Sequence, residues 1–125
     1  MAAPVRIEYD ARSASPHDLS CSWFREPGDQ STGYLIAFAA GDSGSRVEVF
    51  GANVGASDAP EARALPNRWY HVIARILSNG TVQLFANDKE VLNLPGNSRP
   101  SDKAYPGLWT WGGGEFDKVR FFAGG

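Results

Sequence analysis

Apolar and polar residues alternate along residues 5–12, and this period of two constrains the fold more than any other feature of the chain. Val5, Ile7 and Tyr9 stand at odd positions, and charged residues separate them. Side chains of a β-strand point alternately to its two faces, so the pattern predicts a strand with one buried and one wetted face. Similar patterns recur at residues 19–24, 46–50, 68–77 and 81–86, which predicts an all-β chain.

Turn residues separate these predicted strands. Ser78-Asn79-Gly80 and Asn87-Asp88 favour tight turns, so residues 69–94 are expected to form hairpins at the centre of the fold. Residues 34–40 are apolar on both faces and predict a covered central strand, whereas residues 51–66 predict a long surface loop. Many short strands without a convincing helix predict an antiparallel two-sheet β-sandwich of the jelly-roll type. The 125 residues are one domain's worth, so we expect a single domain over residues 1–125.

Composition excludes several functions. The net charge is −2, from 12 basic and 14 acidic residues, which argues against nucleic acid as a partner. The longest apolar run, residues 34–40, is too short to cross a membrane, and no signal peptide is visible at the N-terminus. Cys21 is the single cysteine, so an intrachain disulfide and a cysteine-based metal site are both excluded. Its place in an alternating pattern predicts a buried, inert thiol.

Three segments of the chain carry a family pattern. Residues 68–75, Arg-Trp-Tyr-His-Val-Ile-Ala-Arg, are followed after a turn by residues 84–89, Leu-Phe-Ala-Asn-Asp-Lys. Residues 112–121 run Gly-Gly-Gly-Glu-Phe-Asp-Lys-Val-Arg-Phe, and residues 5–12 precede Asp18-Leu19-Ser20. These segments resemble the W-H-x-V hairpin, the closing G-x-F-D-N-V-R-V strand and the opening strand of the concanavalin A-like lectin/glucanase superfamily, which includes laminin G-like domains. Asn87-Asp88 stands where the family usually has D-G.

The resemblance implies a carbohydrate partner, and the leading expectation is a non-catalytic glycan-binding module. Two alternatives stay open: a polysaccharide lyase or glycoside hydrolase on the same fold, and a structural or assembly domain without a small ligand, which uses edge strands and long loops for protein contacts. Self-association through edge strands is a further partner that the sequence leaves open. An extracellular or periplasmic location is also implied. No cofactor is expected, although calcium is common among such relatives. Candidate oxygen ligands are Asp42, Asp58, Asp88, Asp102 and Asp117, which form no D-x-D-x-D run.

Glu8 and Asp10 share one face of a predicted strand, as the paired carboxylates of a glycosidase would. The third carboxylate of the Glu-x-Asp-x-x-Glu pattern is missing, because position 13 is Ser. A solvated, salt-bridged face alternating with Arg6 and Arg12 is therefore the preferred interpretation.

A ligand site is predicted on the side chains that point away from the core. If Trp69, Val72 and Ala74 point inward, Arg75 points outward, and the facing strand exposes its own alternate residues. Trp109 and Trp111 share a strand face and either stack on sugars or fill the core. Trp23 and Trp69 are both expected to be core residues. The predicted ligand-binding residues are His71, Arg75, Gln83, Phe85, Trp109 and Trp111.

Overall fold

The computed structural model describes residues 4–14, 19–40, 44–96, 104–110 and 113–124. Within these ranges the chain forms ten β-strands and two short 3-10 turns, at Gln30–Thr32 and Pro60–Ala62. The strands are β1 Val5–Arg12, β2 Ser20–Phe24, β3 Gly33–Ala37, β4 Ser45–Val49, β5 Ala52–Ser57, β6 Tyr70–Ile76, β7 Val82–Ala86, β8 Lys89–Leu94, β9 Tyr105–Trp109 and β10 Glu115–Ala123.

The strands form two five-stranded antiparallel sheets, which confirms the predicted β-sandwich. Sheet A has the order β10-β1-β6-β7-β8, and sheet B has the order β5-β4-β3-β2-β9. The predicted central hairpin is placed in sheet A, where β6 is the middle strand and β8 the edge. The β7–β8 turn is closed by Asn87 and Asp88, whose φ angles of 48° and 66° lie in the left-handed region that a two-residue hairpin turn requires.

The core lies between the inward faces of the two sheets. Burial alternates along β1, β6 and β7, as the sequence period predicts, and β2 and β3 are buried on both faces. Trp23 is the largest fully buried side chain, and the Tyr9 ring packs edge-on against Phe116 at 5.7 Å. The Tyr9 hydroxyl donates a hydrogen bond to the Leu19 carbonyl oxygen at 2.8 Å, so its burial leaves no unpaired polar group.

The thiol of Cys21 lies in this core, as predicted. Burial raises the pKa of Cys21 to about 12, so the thiolate that would act as a nucleophile is absent at neutral pH. The expectation of one long loop over residues 51–66 is wrong. Residues 52–57 add the edge strand β5 to sheet B, because main-chain pairing with β4 does not require an apolar pattern. In the described part of the chain, no helix is long and apolar enough to cross a membrane.

Candidate functional site

The outer face of sheet A carries most of the predicted site residues. On β1 the outward positions alternate with the buried ones, and they hold Arg6, Glu8, Asp10 and Arg12. On β6 and β7 the same alternation turns outward His71, Ile73, Arg75, Gln83 and Phe85. These strands are neighbours in the order β1-β6-β7, so their outward side chains form one continuous surface. We call this surface the sheet A face.

A histidine held between two carboxylates lies at the centre of the sheet A face. His71 is directly opposite Asp10 in the β1–β6 register. Its Nδ1 lies 2.6 Å from Asp10 Oδ1, and its Nε2 lies 2.9 Å from Glu8 Oε1. The backbone N–H of His71 donates to Asn87 Oδ1 at 2.9 Å, which ties the β7–β8 turn to the same residue. Two carboxylates of β1 therefore hold the imidazole, and the β7–β8 turn holds the His71 backbone.

These contacts stabilise the protonated imidazole. The hydrogen bond to Asp10 raises the pKa of His71 above its ordinary value; partial burial opposes this shift, and Glu8 adds to it. In the imidazolium form both ring nitrogens donate, one to each carboxylate. His71 then has no lone pair with which to abstract a proton.

Three further cations surround the two carboxylates at longer distances. Glu8 lies 3.8 Å from Arg6 Nε and 3.9 Å from an Arg120 terminal nitrogen, and Asp10 lies 4.0 Å from Lys118 Nζ. The β1–β10 register shifts between Glu8 and Asp10, opposite Lys118 with its positive φ of 52°. This irregularity sets the position of the Lys118 side chain against the cluster. The preferred interpretation of a salt-bridged face is confirmed.

Trp69 borders the cluster, and the expectation that it anchors the core is wrong. Its side chain is 41% exposed, and the Arg12 guanidinium carbon lies 4.9 Å from its ring centroid. Arg12 in turn pairs with Glu115 at 3.0 Å. The inward position at the start of β6 belongs to Tyr70, which packs against Phe38 with ring centroids 5.3 Å apart. Because neighbouring residues of a strand point to opposite faces, Trp69 lies on the sheet A face with His71.

The structure brings four of the six predicted ligand-binding residues together. Arg75 is directly opposite Gln83, and Ile73 is directly opposite Phe85, so His71, Arg75, Gln83 and Phe85 all lie on the sheet A face. Trp109 is elsewhere, since it lies on β9 at the edge of sheet B, opposite Ser20. Trp111 falls outside the described residues. The ligand-binding role of these residues stays a prediction.

The outer face of sheet B has a different character. Phe24, Leu35 and Ala37 lie there, at positions that alternate with the core residues of β2 and β3, yet none is more than 3% exposed. An ion pair between Arg46 and Glu48, 2.8 Å apart, lies on the same face. The central apolar residues of this face are thus out of reach of a ligand in solution. The sheet A face, in contrast, offers partly exposed polar groups along its length.

A cleft of about 630 Å³ opens at the end of the sandwich beside the β7–β8 turn. Its volume lies within the range of small-molecule sites, and its walls carry both charge signs. It meets the sheet A face at Asn87. The lining residues are Asp58, Pro60, Glu61, Arg63, Leu65, Arg68, Tyr70, Ala86, Asn87 and Lys89.

The candidate calcium ligands form no cluster in the part of the chain that the structure describes. No group of three or more His, Cys, Asp or Glu side chains is placed there to hold a metal ion. Among the candidate ligands, Asp58, Asp88 and Asp117 are included in this statement, whereas Asp42 and Asp102 lie outside the described residues.

Sequence reasoning weighed Glu8 and Asp10 as a surface pair and did not connect them with His71. Their proximity follows from the β1–β6 register, which local patterns do not reveal. The outward position of Trp69 could have been predicted from the sequence. Its basis is an unbroken apolar set with a period of two, formed by Tyr70, Val72, Ala74 and Ile76. That set places Trp69 on the opposite face, with His71.

No family model matches the chain, and no curated protein is similar to it in sequence. Solved structures are similar in fold. The carbohydrate-binding module CBM66 from Bacillus subtilis aligns with a TM-score of 0.65 and 15% identity over 94% of this chain and 74% of its own. The Caenorhabditis elegans galectin LEC-6 aligns at 0.64 and 12% identity, over 97% of this chain and 84% of its own.

An enzyme has a related fold as well. The alginate lyase Aly36B aligns with a TM-score of 0.52 and 14% identity, over 96% of this chain and 67% of its own. At such identities the likeness concerns the fold alone. The chain therefore shares the antiparallel β-sandwich fold of this module, the galectin and the lyase, which is the fold that the sequence resemblance implied.

Proposed function

We propose that this chain is a non-catalytic glycan-binding module and that it binds sugar on the sheet A face. The observation that carries the proposal is the exposed ring of Trp69 beside the Glu8–His71–Asp10 cluster. An exposed aromatic ring offers an apolar, electron-rich surface to sugar C–H groups. The neighbouring carboxylates and amides accept and donate hydrogen bonds to sugar hydroxyls. An apolar platform edged by polar groups is what a sugar requires.

The state of His71 argues for binding rather than catalysis. A lyase needs a base with a free lone pair, and both ring nitrogens of His71 are engaged by carboxylates. A glycosidase needs two carboxyl groups free to act as acid and as base or nucleophile, and those of Glu8 and Asp10 are both engaged by the ring nitrogens of His71. Ser13, in the place of a third carboxylate, donates its hydroxyl to the Gly113 carbonyl oxygen at 2.7 Å.

The test is a glycan array followed by calorimetric titration with the best ligand. The Trp69→Ala variant removes the exposed ring of the sheet A face. Tyr105→Ala is its matched control, since Tyr105 is an exposed aromatic residue, 57% accessible, on the edge strand of sheet B. We expect Trp69→Ala to weaken binding by about three- to tenfold, from the loss of one stacking contact, and Tyr105→Ala to leave it intact.

Three results would contradict the proposal. Absence of binding to any glycan removes the function, and loss of affinity in Tyr105→Ala with none in Trp69→Ala moves the site to sheet B. Cleavage of the bound glycan, followed by mass spectrometry, would show that the chain is an enzyme.

A further inference from the structure

Two arginines face each other on the sheet A face, and Glu8, 3.8 Å from Arg6, is the carboxylate that pairs with one of them. Arg6 of β1 and Arg75 of β6 are directly opposite in the antiparallel register, so their β-carbons are about 5 Å apart. Like charges at such a pair destabilise a sheet. The Nε atoms of both side chains are buried and have no hydrogen-bond partner. In the described residues, Arg75 also forms no ion pair.

The residues that continue this row on the neighbouring strands are neutral. Gln83 is directly opposite Arg75, and Asn93 is directly opposite Gln83, so the same row continues with two amides. On the other side Phe122 is opposite Arg6, and the Arg6 guanidinium lies 4.1 Å from its ring centroid. No carboxylate belongs to this row. We call the row of Phe122, Arg6, Arg75, Gln83 and Asn93 the arginine row.

The carboxylate that pairs with Arg6 is shared with other groups. Glu8 Oε2 lies 3.8 Å from Arg6 Nε, which is beyond hydrogen-bond distance. The other oxygen of Glu8 contacts His71 at 2.9 Å and lies 3.9 Å from Arg120. One carboxylate that is shared among Arg6, Arg120 and the His71 ring does not neutralise the two guanidinium groups of the arginine row.

We infer that the arginine row is a subsite for an oxyanion, the carboxylate of a uronic acid or the sulfate ester of a sulfated sugar. The inference rests on the proposed function and narrows its ligand to an acidic glycan. A guanidinium presents planar, paired N–H donors that match the oxygens of a carboxylate or sulfate. The terminal N–H groups of the two guanidinium groups donate to the anion, and its charge removes the repulsion between Arg6 and Arg75. The Gln83 amide adds a neutral donor.

The position of the subsite also sets the size of the ligand. Arg75 is six residues from Trp69 along an extended strand, which corresponds to about 20 Å. A sugar chain that stacks on Trp69 and places an acidic group at the arginine row must therefore contain several sugar units. The acidic group and the stacked ring belong to different units of that chain.

The test compares acidic oligosaccharides with their neutral counterparts by calorimetric titration. An oligogalacturonide is paired with its carboxyl-reduced form, and a sulfated oligosaccharide with its desulfated form, which separates the two sources of the oxyanion. Arg75→Gln removes one guanidinium and keeps a polar side chain. Arg25→Gln is the matched control, because Arg25 is exposed beyond the end of β2 in sheet B and its loss changes the net charge equally.

We expect the unaltered protein to bind one acidic form at least tenfold more tightly than its neutral counterpart. Arg75→Gln should lose this preference for the acidic form, whereas Arg25→Gln should keep it. Equal affinity for acidic and neutral forms overturns the subsite and leaves the proposed function standing. If Arg25→Gln and Arg75→Gln lose the preference for the acidic form equally, the preference arises from net charge alone. That result also overturns the subsite.

A second measurement separates the subsite from the proposed function if no oligosaccharide binds. The Arg75 Nε–H resonance is followed by NMR during titration with sodium sulfate, with sodium chloride at equal ionic strength as the reference. A saturable shift that is absent in Arg6→Gln supports an oxyanion site on a protein that is not a lectin. An unchanged resonance overturns the subsite.

Discussion

His71 and Asp10 occupy directly opposite positions on β6 and β1, with Nδ1 and Oδ1 2.6 Å apart. The pair joins two neighbouring strands of sheet A on its solvent side, and Glu8 completes the cluster from the same strand as Asp10. The cluster makes folding stability depend on the protonation of the His71 imidazole.

The cluster should make the protein more stable at low than at high pH within the range in which His71 titrates. The pKa of His71 is raised in the folded state, mainly by the hydrogen bond to Asp10. Its contribution is therefore fully present below the ordinary pKa of 6.5 and is lost as pH rises through the raised value. The free energy of unfolding in urea, measured between pH 5 and about pH 9, checks this dependence.

Substitutions in the cluster should flatten this pH profile. His71→Gln should remove the dependence, and Asp10→Asn should reduce it more than Glu8→Gln, because the Asp10 hydrogen bond is the largest cause of the raised pKa. A His71→Gln profile identical to that of the unaltered protein would contradict the assignment.

Two tryptophans should differ strongly in their contribution to stability. Trp23 is 0% exposed between the sheets, so Trp23→Ala should cost about 3–5 kcal/mol of the free energy of unfolding. Trp69→Ala removes only a partly exposed ring and its contact with Arg12. It should therefore lower the free energy of unfolding by about 1 kcal/mol. Chemical denaturation of both variants checks the comparison. Equal losses in the two variants would contradict the exposed position of Trp69.

The buried hydroxyl of Tyr9 should contribute measurably to stability. Tyr9→Phe keeps the ring and its contact with Phe116, and it leaves the Leu19 carbonyl oxygen without its hydrogen bond. We expect a loss of about 1–3 kcal/mol in the free energy of unfolding, the cost of an unpaired buried acceptor. A variant as stable as the parent protein would indicate that another donor reaches Leu19.

Cys21 should resist thiol reagents until the sandwich opens. Its pKa of about 12 and its complete burial leave neither a thiolate nor a path for the reagent. Iodoacetamide at pH 8 should leave the folded protein unmodified by mass spectrometry and should alkylate it fully in urea. Rapid alkylation of the folded protein would show that β2 opens without global unfolding.

The sheet A face was predictable in part. Alternation placed His71, Arg75, Gln83 and Phe85 on one surface, because each pair of residues lies two or four positions apart on its own strand. The same reasoning carried to the start of β6 would have placed Trp69 there. Trp109 was expected beside this surface, but it belongs to the other sheet, since no local pattern states which strands become neighbours.

Local alternation in the sequence determined the strands, the inward and outward residues of β1, β6 and β7, and the turn at Asn87-Asp88. These are properties of a few consecutive residues and their dihedral angles. Tertiary structure alone decided that β1 lies between β10 and β6. That order brings Asp10 to His71 and Arg6 to Arg75, residues more than sixty positions apart in the chain. Pairing of distant strands depends on the packing of the entire core, so only the folded chain specifies the cluster and the arginine row.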